Sequence, residues 1–143
     1  VNQYTGYSVR KYHPRAGYSS TVGTEALNYK NNYRVIRFSD VLLMASEALL
    51  RSGGSVGEAQ DYYARVVKRA MGDDYKVPAV SLDNIYKERR YEFAMEGIRY
   101  WDLVRTNQAK DFIKGWDDTK KYLPIPQSEI DKSDGHLVQN PHF

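Results

Sequence analysis

The chain has 143 residues, with 21 Lys+Arg, 18 Asp+Glu and no cysteine. That length suits one domain with a real core. No run approaches the roughly 18 uncharged apolar residues a membrane helix needs, and without cysteine a disulfide, a Cys-ligated zinc site and a thiol nucleophile are excluded. The net charge of +3 reads as basic residues spread among acids along the whole chain, so no nucleic-acid-binding stripe is expected. Tyrosine is abundant, 13 residues with six before residue 34. Its flat apolar face and hydroxyl suit wet interfaces and sugar platforms, and equally loops that pack on a core. Val1-Asn2-Gln3-Tyr4 has neither the basic nor the apolar region of a targeting segment and no initiator Met, as a mature product or internal fragment would read.

Residues 1–33 are rich in Gly, Ser, Thr and Asn. Tyr7 to Tyr12 alternates apolar with polar residues and predicts one strand; the rest, Ser19 to Thr24 especially, reads as loop. From 35 to 51 the pattern turns helical. Phe38, Leu42, Ala45 and Leu49 form one stripe, widened by Val41 and Ala48. Gly53-Gly54 stops this helix. A second runs from about Val56 to Met71 with Ala59, Tyr62/Tyr63, Val66/Val67 and Ala70 on its apolar face, and so short a link predicts an antiparallel hairpin resembling one tetratricopeptide-type pair. Ser81 is a suitable N-cap for a third helix reaching about Glu96. Gly97 interrupts, and helix resumes from Ile98 to about Arg105. A short helix around Lys110 to Ile113 is followed by polar loop. Leu123-Pro124-Ile125-Pro126 must be extended; Ser128 to Asp131 reads as one turn, and Leu137 to Phe143 as irregular.

The densest signal is Glu88 through Arg105. Glu88, Glu92 and Glu96 fall on one helical line, where stacked carboxylates could ligate metal or move protons. The three histidines, His13, His136 and His142, lie elsewhere. Arg89, Arg90, Arg99 and Arg105 supply the opposite charge, with Arg89–Glu92, Glu96–Arg99, Arg99–Asp102 and Asp102–Arg105 all at i, i+3, so an ion-pair lattice beside Ile85, Phe93, Ile98, Trp101 and Leu103 is the favoured reading. No P-loop, nucleophile elbow, dinucleotide fingerprint or zinc-protease motif is present, and no cofactor is expected. Trp116, beside Asp117-Asp118, either pins a loop to the core or offers a ring to a sugar, a weak candidate for ligand contact.

Three ordered blocks resemble the SusD/RagB family of nutrient-binding outer-membrane proteins of Bacteroidetes. The first is Ile36-Arg37-Phe38-Ser39-Asp40-Val41-Leu42-Leu43-Met44 with Glu47-Ala48-Leu49. The second is Glu88-Arg89-Arg90 through Glu96-Gly97-Ile98-Arg99-Tyr100-Trp101-Asp102-Leu103. The third is Leu123-Pro124-Ile125-Pro126, Glu129-Ile130 and Gln139-Asn140-Pro141. Ala45-Ser46 and His142 depart from the family pattern. The resemblance matches the C-terminal part of longer family sequences. It implies a mostly α fold of tetratricopeptide-like helix pairs with irregular loops and a few short extended segments. It also implies a single C-terminal portion divided into a 1–33 lead-in, a 34–105 helical core and a 106–143 loop and tail. Arg37, Glu47, Arg89, Arg90, Glu96, Arg99 and Asp102 are its motif residues here.

What the resemblance implies about function is non-catalytic capture of a glycan or other nutrient at the cell surface. Delivery would be to a SusC-like TonB-dependent transporter, from a protein held on the outer membrane by an N-terminal lipid absent from this chain. The rival reading is a helical-repeat adaptor that binds a peptide or protein in its groove.

Overall fold

A computed structural model describes residues 9–13, 17 and 30–143. All regular structure among them is helical, as expected: α1 (Phe38–Ser52), α2 (Val56–Met71), α3 (Leu82–Glu92), α4 (Arg99–Arg105), α5 (Ala109–Phe112), a 3₁₀ turn (Asp118–Lys121) and α6 (Gln127–Lys132). Tyr7 and Ser8 of the predicted strand, and the loop from Ser19 to Thr24, lie outside the described residues. The remainder of that strand is not one: residues 9–13 bend, with His13 N–H donating to the Arg10 carbonyl at 3.3 Å. Alternation makes a strand only where a neighbouring strand takes up the backbone groups.

The chain divides into two units, Val1–Met95 and Glu96–Phe143. In the first, α1 packs on both α2 and α3. Gly53, at φ 70°, ends α1 in the left-handed conformation that favours glycine, and Gly54 N–H returns to the Leu49 carbonyl at 2.8 Å. Three residues later α2 has begun, so α1 and α2 run antiparallel. Ser55 caps α2, accepting from Glu58 N–H, and Ser81 caps α3, accepting from Asn84 N–H. Gln60 ties the intervening loop to α2: its side chain accepts from Val80 N–H at 2.6 Å and donates to the Pro78 carbonyl at 3.2 Å.

The buried face of α1 is not the stripe predicted. Leu42 belongs to it, but the other buried residues are Leu43, Ser46 and Glu47, while Phe38, Val41 and Ala48 are exposed. The helix is turned toward its polar residues because both find partners inside. Ser46 Oγ donates to the Ala59 carbonyl on α2 at 2.7 Å, and Glu47 accepts from Arg51 and Tyr86. On α2 the predicted face holds through Ala59, Tyr63, Val66 and Val67, with Ala70 exposed. Ile85 and Phe93 complete the core of this unit.

The third helix stops four residues early, at Glu92. Phe93 N–H closes on the Arg89 carbonyl at 3.0 Å, and the backbone then takes positive φ at Met95 (66°) and Gly97 (80°). Glu96 is therefore off the helix, and the line of Glu88, Glu92 and Glu96 does not form.

The second unit buries Leu103, Ala109 and Asp102. Its irregular part is pinned by side chains. Leu123-Pro124-Ile125-Pro126 is non-helical, as its prolines require, and α6 follows directly. Gln139 accepts from Ile125 N–H at 2.8 Å and donates to the Ile125 carbonyl at 2.9 Å, as a neighbouring strand would; Asn140 donates to the Leu123 carbonyl at 2.7 Å. The third sequence block is thus one structural clasp.

Candidate functional site

Three places in the structure concentrate polar or aromatic groups. The first is an ion-pair knot around Glu92, whose side chain is 5% exposed. Arg37, just before α1, donates to Glu92 Oε1 at 2.8 Å and to the Glu92 carbonyl at 3.0 Å; Arg69 of α2 donates to Oε2 at 2.5 Å; Lys11 donates to the same carbonyl at 2.6 Å. Next to it, Arg89 of α3 is paired with Asp40 of α1 at 2.5 Å. The Arg37 and Arg89 guanidiniums lie over the Phe93 ring, 4.9 and 5.1 Å from its centroid. Burial by itself would raise the Glu92 pKa; hydrogen bonds from Arg37 and Ser39 and the Arg69 charge outweigh it and hold the carboxyl below its ordinary value. Glu88, half-buried one turn earlier, goes the other way: burial and then the Glu92 charge push it up. With its oxygens taken up by guanidiniums, Glu92 acts as a clamp on three segments of the chain.

Glu47 makes a second tie. It accepts from Arg51 Nε at 2.9 Å and from the Tyr86 hydroxyl at 3.3 Å, joining α1 to α3. Burial, then the Glu47 charge, raises the Tyr86 pKa. Among the described residues every buried side-chain nitrogen or oxygen has a partner, and no three His, Asp or Glu are grouped as metal ligands.

The second place is aromatic and lies in the second unit. Tyr100 meets Trp101 edge-on at 5.0 Å and Trp116 at 6.1 Å. Trp116 is half-buried and donates its indole N–H to Asp118 at 3.3 Å, while Trp101 is 51% exposed. The Tyr100 hydroxyl donates to the Lys120 carbonyl, closing the polar loop onto α4. Asp102 accepts from Arg105 at 2.8 Å, one of the i, i+3 pairs expected, and Arg99 lies over Phe112 at 5.1 Å. Glu96 is half-exposed and Arg90 exposed.

The third is a cleft of about 220 Å³ where residues 10–13 meet 30–34, lined by Arg10, Lys11, Tyr12, His13, Lys30 and Arg34 with two asparagines. A more apolar groove of about 330 Å³ runs between the start of α1 and the later part of α2, past Phe38, Leu42, Arg65 and Val66.

The structure is thus a paired-helix scaffold whose first two sequence blocks are tied by buried ion pairs and whose third is tied by side-chain amides. The profile of the SusD family matches residues 1–143, and the chain belongs to that family. It is 25% identical to SusD-like protein P2 of Formosa agariphila, over 94% of this chain and 30% of that protein. A SusD-like protein of Bacteroides ovatus is 34% identical over 54% of this chain and 14% of its own length. Among solved structures, surface glycan-binding protein A from Bacteroides thetaiotaomicron superposes with a TM-score of 0.71 at 44% identity, over 83% of this chain and 26% of that one. The chain thus spans less than a third of the length of each of these relatives.

Sequence spacing found the Asp102–Arg105 pair but not the partners of Arg89 and Glu92. Asp40 on α1 and Arg69 on α2 had no local signal, because their partners, Arg89 and Glu92, lie on α3. The basic cleft did have one. The first 34 residues hold five Lys/Arg against a single acid, Glu25, while the other 109 residues sum to −1. The positive charge is not spread along the chain: the whole surplus belongs to the lead-in.

Proposed function

We propose that this chain is the C-terminal scaffold portion of a non-catalytic protein that captures glycans or other nutrients at the outer-membrane surface. It passes them to a SusC-like TonB-dependent transporter, and the longer protein is anchored by an N-terminal lipid. The observation that carries this reading is membership of the SusD family over the whole chain, reinforced by 44% identity to a surface glycan-binding protein. The geometry supports it. The ionisable groups of the knot are engaged in structural pairs, as suits a scaffold, whereas the exposed Trp101 and the rim of Trp116 offer ring faces of the kind sugars stack on. Such a face contributes about 1–3 kcal/mol by analogy with base stacking, so an edge of one or two rings binds weakly alone. Arg37, Glu47, Arg89 and Asp102 then act by holding the helices, Arg99 by its place over Phe112 and Glu96 by leading into α4; Arg90 stays on the surface.

The test is titration calorimetry of the full-length protein and of this chain against an oligosaccharide panel, with co-purification from outer membranes. Glycan binding by the full-length protein and recovery of a TonB-dependent transporter are expected, and Trp116→Ala should weaken binding severalfold if that ring edges the ligand. A protein that binds peptides and no glycan would instead be the adaptor.

A further inference from the structure

The basic cleft has a composition the scaffold does not need. Arg10, Lys30 and Arg34 are exposed, and among the described residues that line the cleft none is a carboxylate. Its two walls are fixed to each other: Arg34 donates to the Lys11 carbonyl at 2.7 Å, and Asn31 donates to the His13 carbonyl at 3.4 Å. Tyr12 lines it, and Tyr33 stacks on Tyr12 at 5.4 Å and 18° while remaining 68% exposed. The Arg34 guanidinium lies over the Tyr12 ring at 5.9 Å. Cations and side-chain amides therefore occur within one small concavity, and the exposed Tyr33 ring lies against Tyr12 of its wall.

We propose that this cleft binds an acidic saccharide, one bearing a carboxylate or a sulfate, and so gives the glycan capture proposed above its preference among glycans. Each class of group in the cleft answers to one part of such a ligand. The guanidiniums and ammoniums match the anion, with arginine suited to two-point hydrogen bonding. Asn31 and Asn32 match ring hydroxyls, having both donors and acceptors. Beside the cleft, the exposed ring of Tyr33 matches the apolar face of a sugar ring. At about 220 Å³ the cleft is smaller than the ~300–1,000 Å³ of drug-sized sites, so it takes about one ring with its charged substituent. A nucleic acid is less well served: its backbone is held by charges repeated along a surface, and outside the first 34 residues this chain is net negative.

The experiment uses the full-length protein at low and high salt. Four probes are titrated: tetragalacturonate, a chondroitin sulfate tetrasaccharide, neutral cellotetraose, and a single-stranded oligothymidylate. A preference for one or both acidic saccharides of about tenfold or more over cellotetraose is expected, shrinking at high salt as screening shortens the reach of the charges. Comparing the first two probes separates carboxylate from sulfate recognition. Arg10→Gln/Lys30→Gln leaves Arg34 and its bond to Lys11 in place and should abolish the preference while an unchanged circular dichroism spectrum shows that the fold persists. Equal affinity for acidic and neutral saccharides, or a preference that survives the double variant, overturns the inference and leaves glycan capture standing. Oligothymidylate binding as tightly as the saccharides also overturns it, since the cleft would then be a general polyanion surface. Failure to bind any saccharide overturns both.

Discussion

The two units are stabilised by different means. Residues up to Met95 carry eight of the ten buried hydrophobic residues among those described, and their core encloses charges that link helices distant in sequence. Residues from Glu96 onward bury only two hydrophobic residues, Leu103 and Ala109, yet their loops are well tied, by Gln139 and Asn140 to the Leu123–Pro126 segment and by Tyr100 to the Lys120 carbonyl. The lesson is that a short helical segment with little core can still have defined loops, provided side-chain amides and hydroxyls take the place of a sheet. The first unit depends on long-range pairs and burial, the second on bonds between side chain and backbone.

That contrast is best tested by hydrogen exchange in urea, which reads amides of the two units separately. Glu92→Ala should have the largest effect, about 3–5 kcal/mol lost from the α1–α3 amides, because it leaves Arg37 without its buried carboxylate. A loss under about 1 kcal/mol would place the knot among surface pairs of little weight. Leu43→Ala, at a fully buried site, should cost the same amides about 2–5 kcal/mol through the lost burial and the cavity left behind. Gln139→Ala should cost about 1–3 kcal/mol, and only in the second unit, by leaving both backbone groups of part-buried Ile125 without their partner; an equal loss in α1–α3 would erase the distinction drawn here.

The smallest effect concerns pH. The Glu92 pKa is lowered in the fold, so its stabilisation is complete above the ordinary value of about 4.3 and is lost as pH falls through the folded value. The Glu88 pKa is raised, so its charge opposes folding at neutral pH and stability rises as pH falls through its folded value. On acidification the urea midpoint of the α1–α3 amides should first rise and then fall. Glu88→Gln should remove the rise and keep the fall; a rise that persists in the variant must come from another group.

The helix order was legible in the sequence because caps and glycines punctuate it: Ser81, Gly53 and the prolines at 124 and 126 act locally, and local signals survive without tertiary context. The buried face of α1 was not legible. Ser46 and Glu47 look like solvent residues until Ala59, Arg51 and Tyr86 are placed beside them, and periodicity ranks Phe38 and Val41 above them. The early end of α3 was hidden for the same reason, since Met95 gives no sign that it will adopt positive φ. For the candidate sites, Arg89 and Asp102 stood out by charge spacing and Arg37 by its place in the first block, whereas the cleft at residues 10–13 and 30–34 joins segments whose shared charge was the one signal and was read as spread along the chain.

The bond from Ser46 to the Ala59 carbonyl has a consequence for alignment. Two helices that meet through aliphatic side chains alone can slide past each other by a turn, about 5.4 Å, and still bury similar area. A hydroxyl at the contact removes that freedom. Any shifted pairing that leaves the hydroxyl without an acceptor carries a penalty of about 1–3 kcal/mol that the native pairing does not. Ser46 therefore selects one registry of the hairpin out of several that would otherwise be nearly equal, and it does so by raising the alternatives instead of deepening the native state.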